Sequence, residues 1–209
     1  MLVTATKSRR ERHEATRGQT RRILLESAFQ EIYRGGFQGT AMDRIIAKAA
    51  VTKGALYHYF ASKEALGYAI LDEVIAEATR QKWIRPLVES RNPIDTLIEV
   101  VQSTSVLPEH VENGCPLNNL AQEMSPVDEG FRQRTARLFQ DWRDAIASAL
   151  RRGQTGGQVR ADLDAAETAT FLVAVYEGYI SLAKNAQDPE MLKSGLGTIA
   201  KYLESLRAG

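Results

Sequence analysis

The sequence predicts an all-α protein in two parts, a small basic module followed by a larger helical body, about nine helices in all. Three observations support this. Apolar residues recur at i, i+3, i+4 and i+7 along most of the chain, whereas no stretch shows the strict alternation of a half-buried strand. Helix-start signals punctuate it: a hydroxyl, amide or acid cap followed by proline stands at Asn92-Pro93, Ser125-Pro126 and Asp188-Pro189. Charge is divided unevenly, with a balance of +7 over residues 1–63 and −6 over the remainder, although the whole chain is only +1.

Residues 1–16 carry Lys7, Arg9, Arg10 and Arg12 without helical periodicity. They are expected to form a basic flexible arm that reaches the minor groove of DNA, follows phosphates, or touches nothing specific. From Thr20 the pattern Ile23, Leu24, Ala28, Phe29, Ile32 predicts a first helix that stops at Gly35-Gly36. Met42, Ile45, Ile46 and Ala49 mark a second helix over 40–50, capped by Thr40.

The third helix lies in the stretch TKGALYHYFASKEAL, residues 52–66. Thr52 is its expected cap, and Ser62 caps the fourth helix. Leu56 and Phe60 fall on one face. The opposite face holds Gly54, Ala55 and His58, flanked by Tyr57 and Tyr59. A helix that only meets water normally carries Glu, Lys and Gln, whereas small residues edged by hydrogen-bonding rings suit close approach to a broad polar surface such as the major groove. Helices two and three across Ala50-Val51-Thr52 therefore read as a helix-turn-helix.

The residues that carry this reading resemble the DNA-binding domain of the tetracycline-repressor family of bacterial transcription regulators. They are Gly36-Phe37, Thr40, Met42-Asp43, Ile45, Ala49, Val51 to Gly54, Leu56 to Phe60 and Ser62 to Leu66, within an ungapped match from about Thr20 to Leu71. Two positions depart from the pattern. Ala50 stands where the family usually has glycine, and Ala41 where Ser or Thr is common.

The resemblance implies a helix-turn-helix domain over 17–64 and an effector-binding and dimerisation domain over 65–209. It also implies a homodimeric repressor released from a palindromic double-stranded DNA operator by a small molecule. Expected DNA contacts are Thr40, Thr52, Lys53, Gly54, Ala55, Tyr57, His58, Tyr59 and Lys63. Thr40, Tyr57, Tyr59 and Lys63 are assigned mainly to phosphates, and Lys53, Gly54, Ala55 and His58 to base edges. Other readings stay open: a DNA-binding activator of the same fold, or an all-helical enzyme or adaptor that does not bind DNA.

In the body, the fourth helix continues through Leu66, Ile70, Val74 and Ala78 until Pro86 interrupts or ends it. A fifth helix follows Asn92-Pro93, and residues 107–115 read as a loop. Pro116 to Met124 forms a sixth helix, and a seventh runs from Ser125-Pro126 to the Gly153–Gly157 break. The eighth, from Asp164 to about Asn185, carries only Glu167 and Glu177 as charges between Ala165 and Ala183. A helix apolar nearly all round must bury more than one face. With the ninth, from Asp188-Pro189 through Leu206, it is expected to build a four-helix dimer interface, the alternative being a central helix of a monomeric bundle.

Composition excludes several classes. A single cysteine permits no internal disulfide and no multi-cysteine zinc site, which suits a cytoplasmic protein. No apolar run is long enough for a membrane span. His13, His58 and His110 lack the paired carboxylate or nucleophile that catalysis needs, so no enzyme, cofactor or metal is expected. His110, Cys115, Glu109 and Glu112 match no standard zinc spacing. Candidate effector residues are Trp83, Leu87, Cys115, Asn118, Asn119, Phe139, Trp142, Tyr176 and Tyr179, apolar walls with a few polar groups. Cys115 at a helix start reads either as a sensor thiol for oxidants or electrophiles, its pKa lowered by the helix amides, or as a small lining residue.

Overall fold

The computed structural model describes the backbone from Arg9 to Gly209 and side chains from residue 18 onward. The described residues form helices with no strand, apart from an isolated bridge between Val159 and Arg207. The chain divides into two compact units, residues 1–70 and 71–209.

In the first unit α1 spans Arg9–Gly35, α2 Met42–Ala49 and α3 Lys53–Tyr59. Leu24, Ala28 and Ile32 of α1 are buried, as are Ile45 of α2, Leu56 and Phe60 at α3, and Leu66, where these helices pack on one another. Burial of each such leucine contributes about 1.5–3 kcal/mol. The α1 helix stops where expected, with Gly36 in the left-handed region at φ 75°. Its start differs: α1 takes in residues 9–16, the second half of the expected arm, while the first half, with Lys7, lies outside the described residues.

Thr40 is not the cap of α2. That position is Ala41, which offers no side-chain oxygen. The Thr40 hydroxyl is buried and is directed at the carbonyls of Gly36 (2.6 Å) and Glu31 (3.2 Å), so it ties the corner back to α1. Glu31 anchors α2 to α1 a second time through Lys48 (3.0 Å) and Arg44 (2.9 Å). The Lys48 hydrogen bond, aided by both positive charges, holds its carboxyl below the usual range.

Ala50, between α2 and α3, has φ 52° and ψ 42°. A Cβ in this left-handed conformation costs about 1 kcal/mol relative to glycine. Ala50→Gly is therefore expected to raise the unfolding free energy by about that amount in urea titrations.

Beyond Ser62, whose hydroxyl accepts from Ala65 N at 3.1 Å, a continuous helical run over 63–89 forms α4. It passes from the first unit into the second and contains two widened π-helical stretches, Ile70–Ile75 and Arg80–Ile84. Pro86 does not end it. The proline has no N–H and crowds the carbonyl four residues earlier, and the second π stretch sits immediately before it, where a wider turn relieves that crowding.

The second unit continues with α5 (Pro93–Gln102), α6 (Pro108–Asn113), α7 (Pro116–Met124), α8 (Glu129–Thr155), α9 (Ala165–Ala186) and α10 (Pro189–Glu204). Asn92 and Asp188 cap as expected, and Asp164, expected only as the start of its helix, caps α9. Two expectations are corrected. The region read as a loop contains α6, started by Pro108 at its first turn and stopped by Gly114 at φ 71°, ψ −152°. The start of α8 is not Ser125-Pro126, which lies in a turn, but Asp128, whose carboxylate accepts from Phe131 N at 2.9 Å.

The core of this unit lies among α4, α5, α8, α9 and α10. Two glycines mark its tightest crossings. A Cβ on Gly195 would stand 2.2 Å from the Tyr179 ring, and one on Gly153 2.5 Å from Val159.

Candidate nucleic-acid interface and effector site

In the first unit Thr52 caps α3 by accepting from Ala55 N at 3.1 Å. The cap fixes the helix so that Leu56 and Phe60 turn inward, 0% and 3% exposed. Thr52, Lys53, Gly54, Tyr57 and His58 then face outward, with Ala55 and Tyr59 half-buried. The His58 ring packs edge-on against Tyr59, centroids 5.2 Å apart, which stiffens the end of the exposed face.

Lys63 donates to Gln38 O at 3.2 Å and lies over the Phe37 ring at 4.8 Å. Its ammonium is thus braced beside the α1–α2 corner. Eight of the nine expected DNA residues stand at least partly open on this unit; Thr40 alone is internal, positioning the backbone of the corner.

In the second unit Trp83, Trp142 and Tyr176 converge. Their ring centroids are 4.5 Å apart for the tryptophan pair, 4.8 Å for Trp83 and Tyr176, and 5.7 Å for Trp142 and Tyr176. Phe139 stacks on Trp142 at 6.4 Å. Around them Leu97, Leu172 and Ile199 help enclose an apolar void of about 10 Å³, hardly more than one water.

A polar cluster adjoins the rings. Lys82 Nζ donates to Tyr176 Oη at 2.8 Å and to Thr104 Oγ1 at 3.0 Å, and the two hydroxyls share a hydrogen bond of 2.9 Å, closing a triangle. Lys82 also lies over the Trp83 and Tyr176 rings. Burial pushes the Tyr176 phenol up and the Lys82 ammonium down. Beside them Glu177 is 7% exposed, and among the described residues its carboxyl oxygens have no N–H or O–H donor, only the weakly donating Cys115 thiol. Burial raises its pKa to about 7, against the pull of the Cys115 thiol and Lys82.

The Cys115 sulfur is shielded, and its pKa moves opposite to the sequence expectation. Burial and the Glu177 carboxyl raise it, and the amides of Asn118 and Leu117 at the start of α7 offset only part of the rise. The remaining effector candidates are engaged elsewhere. Asn118 donates to Ser181 (3.1 Å), Asn119 donates to Asn113 O (2.7 Å) and accepts from Lys184 (2.9 Å), and Tyr179 packs on Gly195. Leu87 is buried in the common core, and its carbonyl accepts from Arg152 at 2.6 Å. Sequence reasoning missed Lys82 and Thr104 as site residues; Glu177 had shown itself as an odd charge on an apolar helix.

Among the described residues no three His, Cys, Asp or Glu side chains cluster to hold a metal, and no helix is long and apolar enough to cross a membrane. Residues 24–70 match the family model of bacterial regulatory proteins of the tetR family, and residues 91–198, half of the chain, match the tetracyclin repressor-like C-terminal domain. The chain belongs to the tetracycline-repressor family.

Relatives agree along nearly the full length. The transcriptional repressor DhaR of Mycobacterium sp. is 28% identical over 194 residues, covering 90% of this chain and 93% of its own. A family regulator from Chloroflexus aurantiacus superposes with a TM-score of 0.81 at 26% identity, over 93% and 100% of the two chains. The reduced form of Escherichia coli NemR does so with a TM-score of 0.78 at 25% identity, over 91% and 97%. The family consists of transcription regulators, so α2 and α3 are the helix-turn-helix of a DNA-binding regulator and the chain is not an enzyme.

Proposed function

We propose that this regulator is a cytoplasmic homodimeric repressor that binds a palindromic operator and leaves it when a small molecule occupies the second unit. The observation that carries the DNA half is the exposed face of α3. Capped by Thr52 and held by buried Leu56, it presents Gly54, Ala55, Tyr57 and His58 on a module of net charge +7. A face of small residues admits close approach, while Lys53 and Lys63 supply phosphate attraction. Two such helices about one helical turn apart, roughly 34–36 Å, would read half-sites of one sign of symmetry.

Dimerisation through α9 and α10 is supported by their outer surface. Phe171, Leu182 and Met191 are 47%, 59% and 37% exposed, and a Cβ on Gly178 would meet nothing within 4 Å. Such a stripe of apolar and small residues suits an isologous contact. Leu182→Glu is expected to convert a dimer to monomers in analytical ultracentrifugation at micromolar concentration. A parent protein that already sediments as a monomer would remove this part of the proposal.

Effector release is supported by the aromatic and polar cluster and by its place on α4. That helix carries Lys82 and Trp83 and continues from residues 63–70 of the DNA-binding unit. Rearranging a π stretch alters helix register, so a ligand that moves Trp83 has a direct route to the other end of α4. A thiol-sensing mode through Cys115 is the weaker reading, because a raised thiol pKa leaves little reactive thiolate. Gel-shift with DNA from upstream of its own gene, together with a reporter in a deletion strain, tests the reading. Expression should rise on deletion; a fall would mean activation.

A further inference from the structure

The second unit holds unpaired polar atoms of opposite kind at one aromatic cluster. The Nε1–H of Trp142, a residue 2% exposed, has no acceptor among the described residues, and the two oxygens of Glu177 have no N–H or O–H donor there, only the weakly donating Cys115 thiol. Buried polar groups left without partners are costly, and a charged one more so. Both belong to the same neighbourhood: Trp142 packs on Tyr176, the Tyr176 hydroxyl is held by Lys82, and Lys82 acts on Glu177. Lys82 itself spends two of its three N–H groups on Tyr176 and Thr104. The cluster therefore offers one strong acceptor and two donors, next to the Trp83, Trp142 and Tyr176 rings that line an apolar void.

These features select a ligand by its charge and its polar group. A carboxylate ligand would meet Glu177, and an ammonium ligand would meet Lys82, so either net charge faces a like charge in a shielded site. An uncharged hydroxyl escapes both. It donates to Glu177 and accepts from an N–H, and its apolar body lies against Trp83 and Trp142.

We propose that Glu177 is the principal polar anchor of the effector subsite and that it takes an uncharged phenol or alcohol on an apolar frame. This rests on the reading of the second unit as the effector domain. It specifies which side chain decides affinity, and for which chemical class.

The chain has two tryptophans, both in this cluster, so intrinsic fluorescence excited at the red edge reports occupancy directly. The probes are 4-methylphenol, toluene, 4-methylbenzoate and 4-methylbenzylamine, titrated into the full chain at a pH of about 8, below the phenol's own pKa of about 10. The expected order places 4-methylphenol about tenfold or more tighter than toluene, with both charged probes weakest. Glu177→Leu should reduce 4-methylphenol to the affinity of toluene and leave toluene unchanged, whereas Glu177→Gln, which keeps a carbonyl acceptor, should retain part of the difference.

Three results overturn the inference: a phenol that binds no tighter than toluene or not at all, a charged probe that binds tightest, or a phenol preference that survives Glu177→Leu. Binding of the same protein to its upstream DNA, measured in parallel by fluorescence anisotropy, tests the repressor reading separately. Intact DNA binding with no phenol preference removes only the present inference.

Discussion

Gly54→Glu is expected to abolish operator binding, by about 100-fold or more, while leaving the protein at least as stable as its parent. The two halves have separate physical causes. A Cβ at residue 54 would find only the Thr52 hydroxyl at 4.0 Å, so the fold has room for a side chain. Glycine inside a helix costs about 0.5–1 kcal/mol relative to a good helix former, and the first turn of α3 contains no acidic residue to interact with the amide dipoles. The carboxylate, however, would stand at the centre of the face proposed to enter the major groove, where it meets phosphates and blocks close approach. Thermal melting and anisotropy titrations on one preparation check both halves. Loss of DNA binding together with loss of folding would not support the assignment, and retained binding would contradict it.

The second large effect is a pH dependence of stability centred on Glu177. Its pKa in the folded protein is raised from the ordinary value of 4.5 to about 7, first by burial. A carboxyl with a raised folded pKa binds its proton more tightly in the native than in the unfolded chain. Its stabilising contribution is therefore present below about 4.5 and is lost as pH rises through about 7. The displacement corresponds to roughly 3 kcal/mol over that window.

Groups acting on it include the Lys82 ammonium from α4 and the Cys115 thiol at the start of α7. Comparison with Glu177→Gln cancels the titration of other carboxylates. The parent should lose stability relative to this variant between pH 4.5 and 7.5 in urea titrations. A constant difference across the window would mean that Glu177 is ionised, and solvated or paired, throughout.

What the sequence discloses depends on how local the determining interaction is. Thr52, Ser62, Asn92 and Asp188 were readable as caps because each acts on amides two or three residues away. Locality also misled. Thr40 has the right residue type for a cap, yet its hydroxyl is taken by carbonyls four and nine residues back, a demand set by the α1–α2 packing. Ser125-Pro126 and Asp128 are competing start signals three residues apart, and the aspartate prevails, its carboxylate receiving the amide of fully buried Phe131.

The exposed face of α3, proposed to meet DNA, was legible almost whole, since one short helix carries most of it. The cluster of the second unit was legible only in part: Trp83, Phe139, Trp142 and Tyr176 could be named as candidates, Lys82 and Thr104 could not. Lys82 meets Tyr176 across 94 positions and Thr104 meets it across 72, and helical periodicity says which face a residue lies on without saying what it faces. Among the charged groups of the cluster, the trace left in sequence was Glu177, one of two charges on an otherwise uncharged stretch. Its meaning emerged only once its unpaired oxygens could be placed beside Cys115 and Lys82.

The central claim is that two copies of one basic reading head grip duplex DNA together. The most direct measurement is the sedimentation mass of the protein mixed with a duplex from its own upstream region at low ionic strength. The expected complex contains one duplex and two chains of 23.2 kDa each, with no appreciable species carrying a single chain. A complex of one chain per duplex, or no complex with any double-stranded fragment, would contradict it.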